Sequence, residues 1–204
     1  MPPVVEIWRA HTTARGRAAL LGVLAHSVGC RPEDVRLDTG PHGKPRLAAG
    51  VSPRDLRFNL SHAGHDVIIA VTEGREVGID VQPDEPDHHG LEHFFTRSEQ
   101  AVLAELPAGP SRRRVVAQLW AGKEAILKAT GRGVSRAIRD LDVAPLARGE
   151  TMTLERTAAG DPAIRSWIVQ ALPTALLPYP GALAVEGDQP PALVLRNWPA
   201  DVDV

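Results

Sequence analysis

Two short segments carry acidic groups in settings where they can do chemistry. VGIDV, residues 77–81, reads as a strand, and strand side chains alternate between faces. Val77, Ile79 and Val81 then share an apolar face that goes to the core, while Gly78, Asp80 and Gln82 share the other. An aspartate flanked by a glycine and an amide offers an oxygen ligand with room for waters and phosphate oxygens, which suits a hard cation such as Mg²⁺. An aspartate at a strand end is also an ordinary turn or surface residue, and the pentapeptide alone does not separate the two. QLWAGKEAILKATGRG, residues 118–133, reads as a helix. At about 100° per residue, Val116, Leu119, Trp120, Ile126 and Leu127 gather on one arc, and Lys123 falls inside it. A lysine there must snorkel, pair or meet an anion, because an unpaired buried charge is costly. Glu124 and Lys128 stand one turn apart at the edge of the arc. They form either a solvated ion pair, worth about 0.2–0.5 kcal/mol, or a metal ligand or base beside a cation for a leaving phosphate.

Other segments add polar groups. FNLSHAGHD places Ser61 and His62 before an apolar run, and both side chains can hydrogen-bond phosphate oxygens. Neighbours on a strand point apart, and no G-x-S-x-G surrounds Ser61, so a serine–histidine nucleophile pair is not expected. HGKPRL sets Lys44 between Gly43 and Pro45 in a rigid turn, which could be a nucleotide contact or simply a turn. His88, His89 and His93 cluster in a polar stretch without a companion cysteine or a regular ligand spacing. Arg112, Arg113 and Arg114 open a helix, where positive charge is mildly unfavourable; a solvated face accounts for them.

The elements that must position these groups follow from periodicity and punctuation. Val4–Trp8 is an opening strand and Thr13–Val28 a helix stopped by Gly29. Leu56–Leu60 is a short strand. Val67–Thr72 is a β-branched run too short for a helix, and Val77–Val81 is expected to be its hairpin partner. Pro83–Gly90 is a polar loop. Thr96, with capping-box spacing to Glu99, opens a helix in which Ala101, Val102, Leu103 and Leu106 follow. Ser111 is expected to cap a long helix that runs to Thr130 and stops at Gly131. Leu141–Val143, Met152–Leu154, Ser166–Leu172, Ala182–Val185 and Ala192–Leu195 are strand-like. The fold class is α+β, with the chain read as two halves, residues 1–98 and 99–204, each of helix plus antiparallel strands.

With 204 residues, 43% hydrophobic and 24% charged, the composition is that of an ordinary globular chain. No apolar run approaches the roughly 20 residues of a membrane span, and the first residues lack the order of a secretory signal. The one cysteine, Cys30, rules out an intramolecular disulfide and suits a reducing compartment. A cytoplasmic protein without membrane or nucleic-acid partners is expected. The net charge of −2 hides an uneven spread. Basic residues from Arg9 to Arg57 outnumber acids, while the next stretch carries Asp80, Asp84, Glu85, Asp87 and Glu92.

The order GKP, FNLSH, VGIDV, FFTRSE, LWAGKEAILKATGRG resembles the 4′-phosphopantetheinyl transferases, in particular the larger, monomeric surfactin-synthetase type. The resemblance spans roughly Ala14 to Val143, and its specific part is G-I-D together with W-x-x-K-E-x-x-x-K. It implies two pseudo-symmetric halves with coenzyme A as co-substrate in the cleft between them. It makes Asp80 and Glu124 ligands of Mg²⁺ and places Lys128 at the diphosphate. Ser61 and His62 would contact coenzyme A phosphates, Lys44 and Pro45 the nucleotide, and Arg17 the 3′-phosphate; Lys123, in the same motif as Lys128, would also be a coenzyme A-binding residue. Glu99 matches the glutamate of FF-x-x-x-E. One departure stands out: many relatives carry a glutamate two residues after the G-I-D aspartate, and this chain has Gln82, whose amide oxygen is an uncharged ligand that a water could replace.

The implied reaction moves the phosphopantetheine arm to a serine of an acyl or peptidyl carrier protein and releases 3′,5′-ADP, with Glu124, Lys128 and Asp80 catalytic. Two other classes remain open on the residues alone: a non-catalytic module that binds coenzyme A or the carrier, and a metal-dependent phosphohydrolase using the same acids.

Overall fold

A computed structural model describes residues 2–11, 16–40, 43–83, 90–131, 136–155, 166–173 and 177–199. Its helices are α1 (Arg17–Val28), α2 (Arg97–Ala104) and α3 (Pro110–Thr130). Its strands are β1 (Val4–His11), β2 (Leu37–Thr39), β3 (Pro45–Leu47), β4 (Leu56–Ala63), β5 (Asp66–Glu73), β6 (Val77–Val81), β7 (Met152–Glu155), β8 (Ser166–Ala171), β9 (Gly181–Glu186) and β10 (Ala192–Asn197). The class is α+β, as the pattern of the chain implies.

Two four-stranded sheets carry the fold, ordered β10-β1-β5-β4 and β6-β9-β8-β7. β5 shows why they stack. Its Val67, Ile69 and Val71 pack with Leu20, Val23 and Leu24 of α1. Its Ile68 and Ala70 turn the other way, into a core shared with Val77, Ile79, Leu183 and Val185 of the second sheet. On the far side of that sheet, Trp167, Val169, Ala182 and Ala184 meet Val116, Leu119, Ala125 and Ile126 of α3. The layers therefore run helix, sheet, sheet, helix. Burying β-branched faces on both sides is the main stabilising term.

The structure revises several local readings. β6 is not the hairpin partner of β5. It pairs antiparallel with β9, from Val77↔Val185 to Val81↔Gly181, because its apolar face closes the core between the sheets and its other face lies under α3. β10 pairs with β1 in parallel, from Val4↔Ala192 to Arg9↔Asn197, so the first sheet is not purely antiparallel. Each sheet thus takes a strand from across residue 98. Helix α3 starts at Pro110 after Gly109; Ser111 sits inside its first turn. Proline is favoured at that position because its missing N–H would have no helical partner anyway. Leu141–Val143 is a loop. Helix α1 starts at Arg17, and the expected start at Thr13 lies outside the described residues. The stops at Gly29 and Gly131 hold, both in the left-handed region at φ 84° and 67°.

Candidate functional site

β6 is the edge strand of its sheet. An edge leaves alternate N–H groups unpaired, and here side chains of β4 take them. Asn59 Oδ1 accepts from the Ile79 N–H at 3.0 Å, and Ser61 Oγ accepts from the Val81 N–H at 3.2 Å. Residues 59 and 61 share a face of β4, so two positions of the FNLSH segment lock β4 across β6. Ser61 Oγ then donates to Asp80 Oδ1 at 2.8 Å. Asn59 was not singled out from the sequence, although its i, i+2 relation to Ser61 was the available signal.

α3 supplies the rest. Gly78 lets the helix lie directly on the strand: a Cβ there would stand 2.0 Å from Ala125 O and 2.4 Å from Ala129 N. The glycine therefore makes room for the helix, not for waters or phosphate oxygens as expected, and the face of Asp80 is buried too. Asp80 is only 3% exposed. Lys128, in the last turn of α3, donates to Asp80 Oδ1 at 2.6 Å, Ser61 Oγ at 3.1 Å and Ile79 O at 3.3 Å. Gln82 Nε2 donates to Asp80 Oδ2 at 2.5 Å, which leaves its Oε1 free of that contact.

Glu124 lies one turn before Lys128 on α3. Lys128 pairs with Asp80, and among the described residues the Glu124–Lys128 ion pair, one of the two readings of their spacing, does not form. Among the described residues the Glu124 carboxylate has no hydrogen bond or ion pair. Burial pushes its carboxyl above the usual range, the negative charge of Asp80 adds to that, and Lys128 opposes it. Among the described residues one carboxylate is thus paired directly with the ammonium and the second is not. With the free oxygen of Gln82, that donor set of hard oxygens fits a divalent cation.

The structure brings Ser61, Asp80, Gln82, Glu124 and Lys128 together. His62 points away from Ser61, as strand alternation requires: it is exposed and on the α1 side of β4. Its Nε2 is 3.2 Å from where a Cβ on Gly16 would stand, so His62 and Arg17 share the corner at the start of α1. Arg17 is exposed there. Lys44 is drawn inward beneath the end of α3, with Pro45 half-buried beside it.

Lys123 is not part of this site. It is 0% exposed, and its ammonium donates to Glu99 Oε2 at 2.9 Å, to Ile138 O at 3.1 Å and to Leu141 O. Burial pushes its pKa down, against the pull of Glu99. The structure does not bring Lys123 into the group formed by Asp80, Glu124 and Lys128, and all three of its donors are taken inside the core. Glu99 completes the expected capping box, accepting from Thr96 N at 2.8 Å, and also accepts from Val143 N at 2.8 Å. His88 and His89 lie outside the described residues. His93 is exposed, and among the described residues no three His, Cys, Asp or Glu side chains form a metal-binding group.

Comparison with known proteins supplies the class. The family model of the 4′-phosphopantetheinyl transferase superfamily matches residues 76–184, and the chain belongs to that superfamily. It is 33% identical over 132 residues to the 4′-phosphopantetheinyl transferase HetI of Nostoc sp., covering 63% of this chain and 55% of that protein. It is 32% identical over 164 residues to the L-aminoadipate-semialdehyde dehydrogenase-phosphopantetheinyl transferase of Eremothecium gossypii, covering 74% and 57%. With Sfp of Bacillus subtilis it shares 27% over 135 residues, covering 66% and 58%. The chain spans between half and three fifths of the length of these relatives. Among the described residues no helix is long and apolar enough to cross a membrane.

Proposed function

We propose that this chain transfers the 4′-phosphopantetheine arm of coenzyme A to a serine of an apo acyl or peptidyl carrier protein, releasing 3′,5′-ADP. The observation that carries the reading is the Glu124 carboxylate, without a direct ion pair among the described residues, beside the Asp80–Lys128 pair. Asp80, Glu124 and the Oε1 of Gln82 would hold Mg²⁺, which when bound offsets the charge of the diphosphate. The hydroxyl oxygen of the carrier serine forms a bond to the β-phosphorus, and the bond from that phosphorus to the oxygen of the leaving 3′,5′-ADP breaks. The serine proton passes to Glu124, directly or through a water that it orients. Burial raises the proton affinity of Glu124, which suits it to accept. The Lys128 ammonium offsets charge on the departing phosphate, or protonates it. Positioning and charge neutralisation dominate such transfers.

In the same reading Arg17 meets the 3′-phosphate. Ser61 and His62 contact the phosphates, and Pro45 and the main chain at Lys44 wall the nucleotide. The reading also takes the chain as two pseudo-symmetric halves with coenzyme A between them and the protein as a cytoplasmic monomer; the two helix-covered sheets are what speaks for the halves.

The test is to incubate the protein with apo carrier proteins, coenzyme A and Mg²⁺ and to weigh the carriers by mass spectrometry. Gain of one phosphopantetheine mass is expected, and it is lost in Asp80→Ala and Glu124→Ala. No gain across fatty-acid, polyketide and peptide carriers refutes the reading. Release of 3′,5′-ADP without carrier would point to a phosphohydrolase, and binding of coenzyme A and carrier without transfer to a binding module.

A further inference from the structure

We propose that Glu76 and Lys44 form a positioning pair that holds the last turn of α3 on β6, and thereby aims Lys128 and Glu124. The proposal rests on the catalytic reading of those two residues. The Lys44 ammonium donates to Glu76 Oε2 at 2.5 Å, Ala129 O at 2.8 Å and Val77 O at 3.1 Å. An ammonium has three protons, and here three protein acceptors use them. One acceptor belongs to β6, one to the end of α3, and one is the carboxylate just before β6. None is left for a nucleotide in this arrangement.

The placement of these acceptors gives the pair its role. Ala129 O lies in the last turn of α3, where carbonyls lack helical partners and the helix dipole is negative. A cation there caps the helix. Val77 and Ala129 also adjoin the point where Gly78 touches the α3 backbone. On the other side of that contact, Lys128 reaches Asp80, Ser61 and Ile79 O. Two ammonium groups thus grip one backbone crossing, and only one of them faces the reacting groups. Glu76 is held in turn by Arg57 of β4, so the grip is anchored on the first sheet. Without it, the last turn of α3 is free to fray, and Lys128 moves with it.

The experiment uses the full chain with Lys44→Met, Glu76→Gln and the double variant. Carrier transfer is measured against coenzyme A concentration, together with amide hydrogen exchange across residues 125–131. Positioning predicts that kcat falls about tenfold to a hundredfold in Lys44→Met, the scale of a misplacement of about 1 Å, and less in Glu76→Gln. KM for coenzyme A stays within about twofold, because ground-state binding is not what the pair supplies. Exchange in the last turn accelerates in both single variants, and the double variant is no worse than Lys44→Met. A tenfold rise in KM with kcat intact would overturn the proposal, since the ammonium would then serve the nucleotide. Unchanged kinetics and unchanged exchange would overturn it equally. If Lys44→Met does not fold, the near-isosteric Glu76→Gln carries the test. Should the wild type modify no carrier, the transfer reading fails, and the exchange data alone decide whether the pair holds the helix.

Discussion

Replacing Lys123 with methionine separates a structural lysine from a coenzyme-binding one. Methionine keeps the unbranched stem and removes the charge. Glu99 would stay fully buried with the Thr96 and Val143 N–H groups but no cation, and the carbonyls of Ile138 and Leu141 would each lose a donor. Breaking a buried pair by removing one partner costs about 3–5 kcal/mol, because the other charge remains. In a chain of this size each kcal/mol moves Tm by about 2–4 °C. The melting temperature should therefore drop by about 6–20 °C, read by calorimetry or circular dichroism. Assayed well below its Tm, the variant should keep KM for coenzyme A within about twofold, since no ground-state contact is lost. Lys123→Met with Glu99→Gln should recover part of the loss, because a buried pair can be exchanged for neutral groups at little cost. A Tm within about 2 °C of wild type, which is under 1 kcal/mol, combined with a tenfold higher KM, would refute the reasoning.

Three further outcomes follow from the site. Glu124→Gln should abolish transfer yet raise stability at neutral pH. The folded-state proton affinity of Glu124 is raised, so its favourable contribution is present below the ordinary glutamate range and is lost as pH climbs through its folded pKa; the Tm gain over wild type should vanish near about pH 4 and grow toward pH 7. Gly78→Ala should cost at least about 1–3 kcal/mol and reduce kcat, because its Cβ meets helix backbone and the helix must shift; melting and kinetics together check it, and an unchanged kcat would break the link between that contact and Lys128. Gln82→Glu should lower the Mg²⁺ concentration needed for half-maximal transfer, since it adds a charged oxygen beside Asp80; a titration showing no change or a higher requirement would remove residue 82 from the metal site.

Much of this arrangement was legible because it rests on local rules. The apolar run of β5, the capping box at Thr96 and Glu99, and the glycine stops of α1 and α3 all depend on residues within a few positions of one another. Strand partners are different. β6 has a strand-like run just before it and an equally apolar β9 a hundred residues later, and alternation cannot choose between them. The choice falls to β9 because β6 must present Val77, Ile79 and Val81 to one layer and Gly78 to another. No hairpin with β5 in the same sheet provides both. The return of β10 to β1 is hidden for the same reason.

The lysines show where motif order stops being informative. Lys123, Lys128 and Lys44 all fall in segments that mark the family, and matching alone treats them as three cations for one ligand. Their acceptors lie far away in sequence: Leu141 for Lys123, Asp80 for Lys128, Ala129 for Lys44. A buried ammonium goes wherever unpaired oxygens are, because leaving it without them costs several kcal/mol. Carboxylates obey the same rule, which is why the exception matters. Asp80 and Glu99 each have a lysine, and among the described residues Glu124 has none. Two of these acids are thus met by lysines, and the third stands beside one of them with its carboxyl pushed up by burial and by the charge of Asp80, which is why substitutions at Glu124 test the proposed transfer most directly.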